Sequence, residues 1–179
     1  MKLETPVRAL GPVGHEPLKA AVEAVRPEVW SEDQLRQMAF EQHAATQSII
    51  LLFAEGWPNV KVSRRKGWEY FAAPAGELMK EVVAKYYGGG GAVIRALVAK
   101  LTAGAEIADH FDGHGTFDIS HRIHVPLVTN DQVEFRVRGE AHNMKEGLAY
   151  EISNTDIHGV SNRSDVDRIH FIFDYMPPR

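Results

Sequence analysis

Two histidines and one aspartate carry the clearest chemistry in this sequence. His110 and Asp112 are two residues apart, and side chains at that spacing on a strand project to the same face, so both can reach one metal ion. His158 is the candidate third ligand. Two imidazoles and one carboxylate on one side of an ion leave the opposite coordination positions open, as in non-haem Fe(II) oxygenases. We therefore predict a metal site formed by these three residues.

Arg168 is the next candidate residue, because it places a positive charge in an apolar strand. It begins the apolar segment RIHFIF at 168–173, in which large apolar residues alternate with Arg168 and His170. A guanidinium on such a strand either binds an anion or costs several kcal/mol to bury. Its paired donors match the two oxygens of a carboxylate better than a lysine does. The alternative is an ion pair with Asp165 or Asp167.

The composition limits the kinds of site and partner. The 179 residues include nine histidines and no cysteine, so a metal site must use imidazole and carboxylate. With 20 Lys and Arg against 24 Asp and Glu, the charge favours neither nucleic acid nor an anionic membrane as partner. The longest apolar run, 48–54, is far shorter than the ~20 residues of a spanning helix, and 1–12 have no apolar stretch typical of a secretory signal. We expect a cytoplasmic protein that binds a small molecule.

The elements that must position these residues change in character near residue 90. Before it, apolar residues recur at helical spacing after Pro17 and again around Leu78, with one short apolar run at 47–53. The glycines at 88–91 are followed by no Lys-Ser/Thr, so we interpret them as a helix-to-strand turn and not as a phosphate loop. Beyond them the pattern predicts strands at 93–102, 106–111, 122–128, 133–138, 148–152, 158–161 and 168–175.

Helices first and strands afterwards predict an α+β, mainly β, fold. We expect one domain over 1–179, with a helical part at 1–90 that holds one or two strands and packs outside a β core at 93–176. Short strands separated by Gly, Asn and Asp turns are typical of a sandwich or barrel. The segment RIHVPL at 122–127 alternates in polarity, so one face of that strand is predicted to carry its polar residues.

Positive charge is concentrated in the run KVSRRK at 61–66, with three aromatic residues close behind it. Basic and aromatic residues together can bind a nucleic-acid strand, but four cations in an acidic chain are more typical of a solvated loop. A narrower hypothesis places this loop over the site, where Arg64 and Arg65 hold an anionic substrate group. His15 and His43 are interpreted as structural.

A set of motifs in the second half occurs in a recognisable order and spacing. They are AEI at 105–107, HFD at 110–112, HRIHVPL at 121–127, GE at 139–140, MKEG at 144–147, NTDIH at 154–158 and DRIHFIFDY at 167–175. Over about 93–176 the chain resembles the aspartyl/asparaginyl β-hydroxylase-like branch of the 2-oxoglutarate- and Fe(II)-dependent oxygenases. Small bacterial free-amino-acid hydroxylases, including proline hydroxylases, look similar over the same region. Residues 1–90 carry no matching motif.

The resemblance implies a double-stranded β-helix (jelly-roll, cupin-like) core with Fe(II) held at its mouth by His110, Asp112 and His158. In the animal members of that branch a glycine replaces the carboxylate ligand. Asp112 restores the full triad here, so the chain resembles the small-molecule hydroxylases more closely. A complete triad also argues against halogenation, which needs that ligand position for a halide.

The resemblance also implies roles for three residues that do not bind the metal. Arg168 falls where the distal carboxylate of the cosubstrate 2-oxoglutarate is bound, His124 where a second cosubstrate contact is expected, and Arg122 where a substrate carboxylate is held. The residues alone leave alternatives open: His124 as a hydrogen-bonded pocket histidine, and Arg122 as half of an internal salt bridge.

These observations predict an Fe(II)- and 2-oxoglutarate-dependent hydroxylase that uses O2. A proline-like free amino acid is the first expected substrate, and a peptidyl Asp or Asn residue the second. The alternative from another class is a non-catalytic cupin-like metal-binding or regulatory protein. A Zn(II) hydrolase with the same ligands is disfavoured because no general base stands out and Arg168 would have no purpose.

Overall fold

Two antiparallel sheets and two helices make up the described part of the chain. The computed structural model describes residues 1–32 and 46–178. Within them the elements are β1 (Val7–Pro12), α1 (Glu16–Glu23), β2 (Thr46–Glu55), β3 (Lys61–Arg64), α2 (Gly67–Tyr86), β4 (Ala92–Leu101), β5 (Glu106–His110), β6 (His121–Val128), β7 (Val133–Val137), β8 (Glu140–His142), β9 (Leu148–Ile152), β10 (His158–Asn162) and β11 (Arg168–Met176), with short 3-10 helices at Pro27–Ser31 and Gly115–Asp118.

The strands form one large and one small sheet. The large sheet has the order β1-β9-β6-β11-β4-β2-β3 and the small sheet the order β5-β10-β7-β8, and all the paired strands are antiparallel. This jelly-roll arrangement confirms the predicted α+β, mainly β, fold. The strands predicted from residue 93 onward are all present, and their ends differ from the prediction by no more than one residue.

Both helices pack on the outer face of the large sheet. The buried face of α2 includes Phe71, Leu78 and Val82, which recur at helical spacing. The helix begins at Gly67, where a side chain would stand 2.5 Å from the carbonyl oxygen of Ile50, so glycine lets the helix start against β2. It ends at the glycine run, whose positive φ angles turn the chain into β4 as the sequence predicted.

The alternation along β6 and β11 separates two cores. Ile123, Val125 and Phe171 point to the helices and belong to the core on that side. A second core lies between the two sheets and includes Phe135 and Ile152. The other side chains of β6 and β11 face this inner space, and among them are the residues predicted to bind cosubstrate and substrate.

The first ninety residues differ in two ways from the prediction. They hold three strands among their described residues, β1, β2 and β3, and not one or two. The basic run at 61–66 was predicted as a loop, but its first four residues form the edge strand β3 and are exposed. A strand with no buried face lacks the apolar alternation that reveals strands in a sequence, and exposed cations at a sheet edge oppose further strand pairing.

Two further expectations concern the same part of the chain. His43, interpreted as structural, lies outside the described residues. Across residues 1–32 and 46–178, neither helix combines the length and the apolar character needed to cross a membrane.

Candidate functional site

The three predicted metal ligands come together at the end of one strand pair. His110 is the last residue of β5 and His158 the first of β10, and the two are paired across these antiparallel strands. Asp112 follows β5 by two residues and donates its backbone N–H to the carbonyl of Asn154 at 3.2 Å. One possible ligand atom from each of the three lies within 4.8 Å of the others. The arrangement fits a divalent metal bound by two nitrogens and one oxygen.

Backbone hydrogen bonds orient both imidazoles. Nδ1 of His110 donates to the carbonyl of Ala108 at 2.8 Å, and Nδ1 of His158 donates to the carbonyl of Asp156 at 2.9 Å. These bonds assign the ring proton to Nδ1, so Nε2 is the nitrogen that can ligate. Burial lowers the pKa of His158, which favours the neutral ring that binds metals. The strand ends therefore orient both imidazoles so that Nε2 is the candidate ligand atom.

Arg122 holds the carboxylate of the triad. From β6 it donates Nε to Asp174 Oδ1 at 2.8 Å and Nη2 to Asp174 Oδ2 at 3.0 Å, and Nη1 donates to Asp112. Burial alone would lower the pKa of Arg122, but the two carboxylates outweigh it and raise that pKa. The internal ion pair that the sequence left open is thus present, and it fixes the orientation of Asp112.

A cavity of about 50 Å³ between the sheets connects the triad to Arg168. We call it the inner cavity; its walls include His110, Asp112, His158, His124, Arg168, Ile107, Phe135 and Val160. Most of the wall around the polar groups is apolar, so a molecule bound there is shielded from water. The inner cavity therefore brings together all six residues predicted for the site, including Arg122.

Arg168 enters the inner cavity without a carboxylate partner among the described residues. Only 2% of the residue is exposed, Nη2 donates to Nδ1 of His170 at 2.6 Å, and the buried Nε has no partner. Burial lowers its pKa to about 9. The alternative partner Asp167 instead accepts from the Ala103 N–H at 2.9 Å. A buried, incompletely hydrogen-bonded guanidinium fits the carboxylate of a bound acid.

His124 and His170 lie side by side in the same region. Their Nδ1 atoms are 3.4 Å apart, and both residues are buried. The ring of His124 meets Phe135 edge-on at 5.3 Å. Burial, with the neighbouring Arg168, holds the pKa of His170 well below its usual value, so His170 is neutral and accepts from Arg168.

A larger cavity of about 400 Å³ lies against the same triad. We call it the outer cavity; it is lined by Ile50, Leu52, Phe53, Ala54, Arg95, Leu97, Phe111, Asp112, Gly113, His114, Phe117, Arg122 and Ile172. Three lining residues, Asp112, Arg122 and Ile172, are shared with the inner cavity. A molecule in the outer cavity therefore lies next to the carboxylate ligand of the triad.

Sequence reasoning missed Arg95, Phe117 and Asp174. Arg95 lies in the apolar strand β4 much as Arg168 lies in β11, so the same signal, one cation in an apolar strand, could have identified it. Asp174 is fully buried on β11. It is the second aspartate of the DRIHFIFDY motif, and an acid in an apolar strand is a signal that could have identified it. Phe117 has no comparable sequence signal, because its place in the site is evident only from its contacts with Arg95 and Arg122.

Several other histidines have partners that explain them without a role in the site. His114 accepts from the Thr116 N–H at 3.3 Å and caps the short helix Gly115–Asp118. His121 donates to Glu151 at 2.5 Å on the helix side of the large sheet. His15 lies 3.4 Å from Glu146, in line with the structural role expected for it.

A jelly-roll core with a His-Asp-His set and a buried arginine defines the fold and site of a 2-oxoglutarate-dependent oxygenase. The sequence matches the family profile "Aspartyl/Asparaginyl beta-hydroxylase" over residues 28–178. The chain belongs to this family, and it is an enzyme of the 2-oxoglutarate/Fe(II)-dependent hydroxylase class. The expected family is confirmed, and the match extends well into the first ninety residues, where no motif could be recognised. No curated protein sequence matches the chain significantly.

Solved structures share the fold at low sequence identity. A 2OG-Fe(II) oxygenase family protein from Burkholderia pseudomallei is 14% identical with a TM-score of 0.57, over 98% of this chain and 92% of that one. A Pseudomonas putida prolyl-4-hydroxylase is 12% identical with a TM-score of 0.56, over 98% and 95%. HygX from Streptomyces hygroscopicus, with nickel, 2-oxoglutarate and hygromycin B bound, is 12% identical with a TM-score of 0.55, over 97% and 83%.

Proposed function

We propose that this hydroxylase binds Fe(II) with His110, Asp112 and His158, binds 2-oxoglutarate in the inner cavity, and hydroxylates a small amino acid in the outer cavity. The observation that carries the proposal is Arg168, which is buried in the cavity of the triad and has no carboxylate partner among the described residues. A dicarboxylate can place one end on this guanidinium and the other at the metal. The proposed site of action is the cytoplasm, and residues 1–179 act as one domain.

Iron bound by the triad would supply the O2-dependent oxidation of an unactivated C–H bond. The chain's own residues orient the reactants. Arg168 holds the distal carboxylate of 2-oxoglutarate through paired N–H donors, and His124 contacts the cosubstrate from β6. Arg122 keeps Asp112 in place and adds positive charge where the two cavities meet. Ile107, Phe135 and Val160 exclude water from the cosubstrate.

Anaerobic addition of Fe(II) and 2-oxoglutarate tests this proposal directly. We expect a visible metal-to-ligand charge-transfer band in the wild-type protein and in His142→Ala, a matched control on β8 outside both cavities. In His158→Ala we expect no band and at least a 10³-fold loss of succinate formation, because one of three protein ligands is removed. A folded wild-type protein without the band would refute the proposal.

Release of succinate separates turnover from mere metal binding. A non-catalytic metal-binding protein would bind the metal, and could show the charge-transfer band, without converting 2-oxoglutarate to succinate. The hydroxylase should release succinate under air, and a panel of free amino acids and of Asp- and Asn-containing peptides should show which class raises the rate. Product mass then identifies the added oxygen.

A further inference from the structure

The outer cavity has two chemically distinct walls. One wall is apolar and comes mainly from β2, β4 and β11, with Ile50, Leu52, Leu97 and Ile172 among its residues. The other wall carries Arg95 and Arg122, which approach the ring centroid of Phe117 at 4.7 and 4.5 Å. These cation–π contacts hold both guanidinium groups at the cavity wall. The cavity therefore offers positive charge and apolar surface to the same small molecule.

The guanidinium groups of Arg95 and Arg122 differ in how well they are hydrogen-bonded within the chain. Arg122 donates to two carboxylates through all three of its nitrogens. Arg95 makes one short contact, with Thr116 Oγ1 at 2.7 Å, and its other contacts are long: Asp174 Oδ2 at 3.4 Å, the Ala54 carbonyl at 3.3 Å and His114 Nδ1 at 3.4 Å. Contacts at the limit of hydrogen-bond geometry are weak and easily exchanged for a better acceptor. Arg95 is therefore the donor that a ligand can engage.

The charge of this wall favours an anion. When Asp112 serves the metal, the fully buried Asp174 is the one other carboxylate among the described residues that pairs with Arg95 and Arg122. One surplus positive charge beside an apolar wall is stabilised by one carboxylate whose remaining atoms are apolar.

We propose that Arg95 is the residue that anchors the substrate, and that the substrate is a free carboxylic acid with an apolar body, of the size of an aliphatic amino or imino acid. Its carboxylate binds Arg95 at the polar wall, and its carbon skeleton packs on Leu97 and Ile172, beside Asp112 of the triad. The role of Arg122 is then to position Asp112. This inference rests on the proposed function of the site and narrows the proposed small amino acid to one with a free carboxylate and an apolar side chain.

The first test needs no variant. Free L-proline, L-leucine and the other apolar amino acids should stimulate succinate release by the wild-type enzyme, and their carboxamides, which lack the negative charge, should be at least about 10-fold weaker in kcat/KM. Carboxamides as active as the acids, or stimulation by Asp and Asn peptides alone, would overturn the proposal. So would a panel in which no free acid stimulates, even if the charge-transfer band shows that iron and 2-oxoglutarate bind.

The second test uses Arg95 itself. Arg95→Gln should raise the KM of the stimulating acid about 10-fold or more with a smaller change in kcat, and Arg95→Lys should recover part of the loss because it keeps the charge. The control is Arg163→Gln, a surface arginine outside the lining of both cavities, which should leave KM unchanged. An unchanged KM in folded Arg95→Gln, or a raised KM in the control alone, would refute the assignment.

Discussion

Two deeply buried charges, Glu151 and Arg168, lie on opposite faces of the large sheet and differ in their partners. On the helix side, the fully buried Glu151 accepts from His121 at 2.5 Å, from the Tyr87 hydroxyl at 3.0 Å and from Arg8. On the inner face, Arg168 is just as deeply buried, and its hydrogen-bond partner is the neutral ring of His170. The charge of Glu151 is compensated within the chain, whereas the charge of Arg168 has no carboxylate partner among the described residues.

This difference separates stability from binding. A buried ion cluster with every oxygen hydrogen-bonded contributes to the folded state as long as it stays complete. A buried cation without a counter-ion destabilises the folded state, and a chain that keeps one gains something else from it, most directly the binding of an anion. Replacing Glu151 should therefore change the free energy of unfolding, whereas replacing Arg168 should change the affinity for a ligand.

Arg168→Gln should have the largest effect, and the effect should be on ligand binding. We expect the affinity for 2-oxoglutarate to fall about 100-fold, or ~2.7 kcal/mol, because a charge-assisted, desolvated pair is lost. Without 2-oxoglutarate, the variant should unfold at the same denaturant concentration as the wild type or a higher one. With 2-oxoglutarate and Fe(II) under anaerobic conditions, the wild type alone should gain stability at moderate ligand concentrations.

Arg163→Gln is the matched control for this substitution. Its side chain is 67% exposed and pairs with Glu134 on the surface, so neither stability nor 2-oxoglutarate binding should change. The distinction between Arg168 and Glu151 is wrong if the Arg168→Gln variant binds 2-oxoglutarate like the wild type. It is also wrong if this variant is less stable than the wild type without ligand, as expected when an internal ion pair is broken.

Glu151→Gln should affect stability and spare the ligand. We expect the free energy of unfolding to fall by about 2 kcal/mol, because Arg8, His121 and Tyr87 lose their shared anion while the amide keeps part of the hydrogen bonding. The affinity for 2-oxoglutarate should stay within about twofold of the wild type. Chemical unfolding followed by circular dichroism, with a parallel titration of the charge-transfer band, measures both quantities.

The pH dependence of this difference has a definite sign. Burial acts to raise the pKa of Glu151, but the contacts with His121, Arg8 and Tyr87 outweigh it and hold that pKa below its usual value. A carboxyl whose pKa is lower in the folded state contributes stability above its unfolded pKa of about 4.3, and loses it as the pH falls through the folded pKa. The gap between wild type and Glu151→Gln should be full near pH 7 and shrink below about pH 4. A gap that widens on acidification would contradict the cluster.

His170 should give the smallest effect of the three, because it acts through Arg168. His170→Leu removes the acceptor at 2.6 Å from Nη2, and we expect the KM for 2-oxoglutarate to rise about 5- to 10-fold, or ~1 kcal/mol, with little change in kcat. His170→Asn offers an amide oxygen in the same place and should recover part of the loss. Equal KM values for wild type and His170→Leu would show that His170 fills space only.

The sequence was most informative where function and periodicity coincide. The two-residue spacing of His110 and Asp112 indicated that they lie together, and they do, although Asp112 lies two residues beyond the end of β5. The family's motif order supported His158 as the third candidate. The inward direction of Arg168 and His124 followed from the alternation of β11 and β6. The edge strand β3 escaped prediction because its exposed residues carry no alternation, and Phe117 escaped because it lies in a short helical turn whose contacts depend on distant strands.

Side-chain alternation along each strand is written in the sequence, and it predicted a β sandwich or barrel and the polar face of the strand that carries Arg122 and His124. The family resemblance implied the jelly-roll core and the roles of the candidate site residues. The register between neighbouring strands cannot be read from the sequence in this way, because it depends on how the whole sheet packs. That register places Asp174 of β11 opposite Arg122 of β6 and Arg95 of β4, while Arg168 lies opposite Leu101 of β4. The tertiary structure alone therefore decided that Arg95 and Arg122 receive a carboxylate from the chain, whereas Arg168 has none among the described residues.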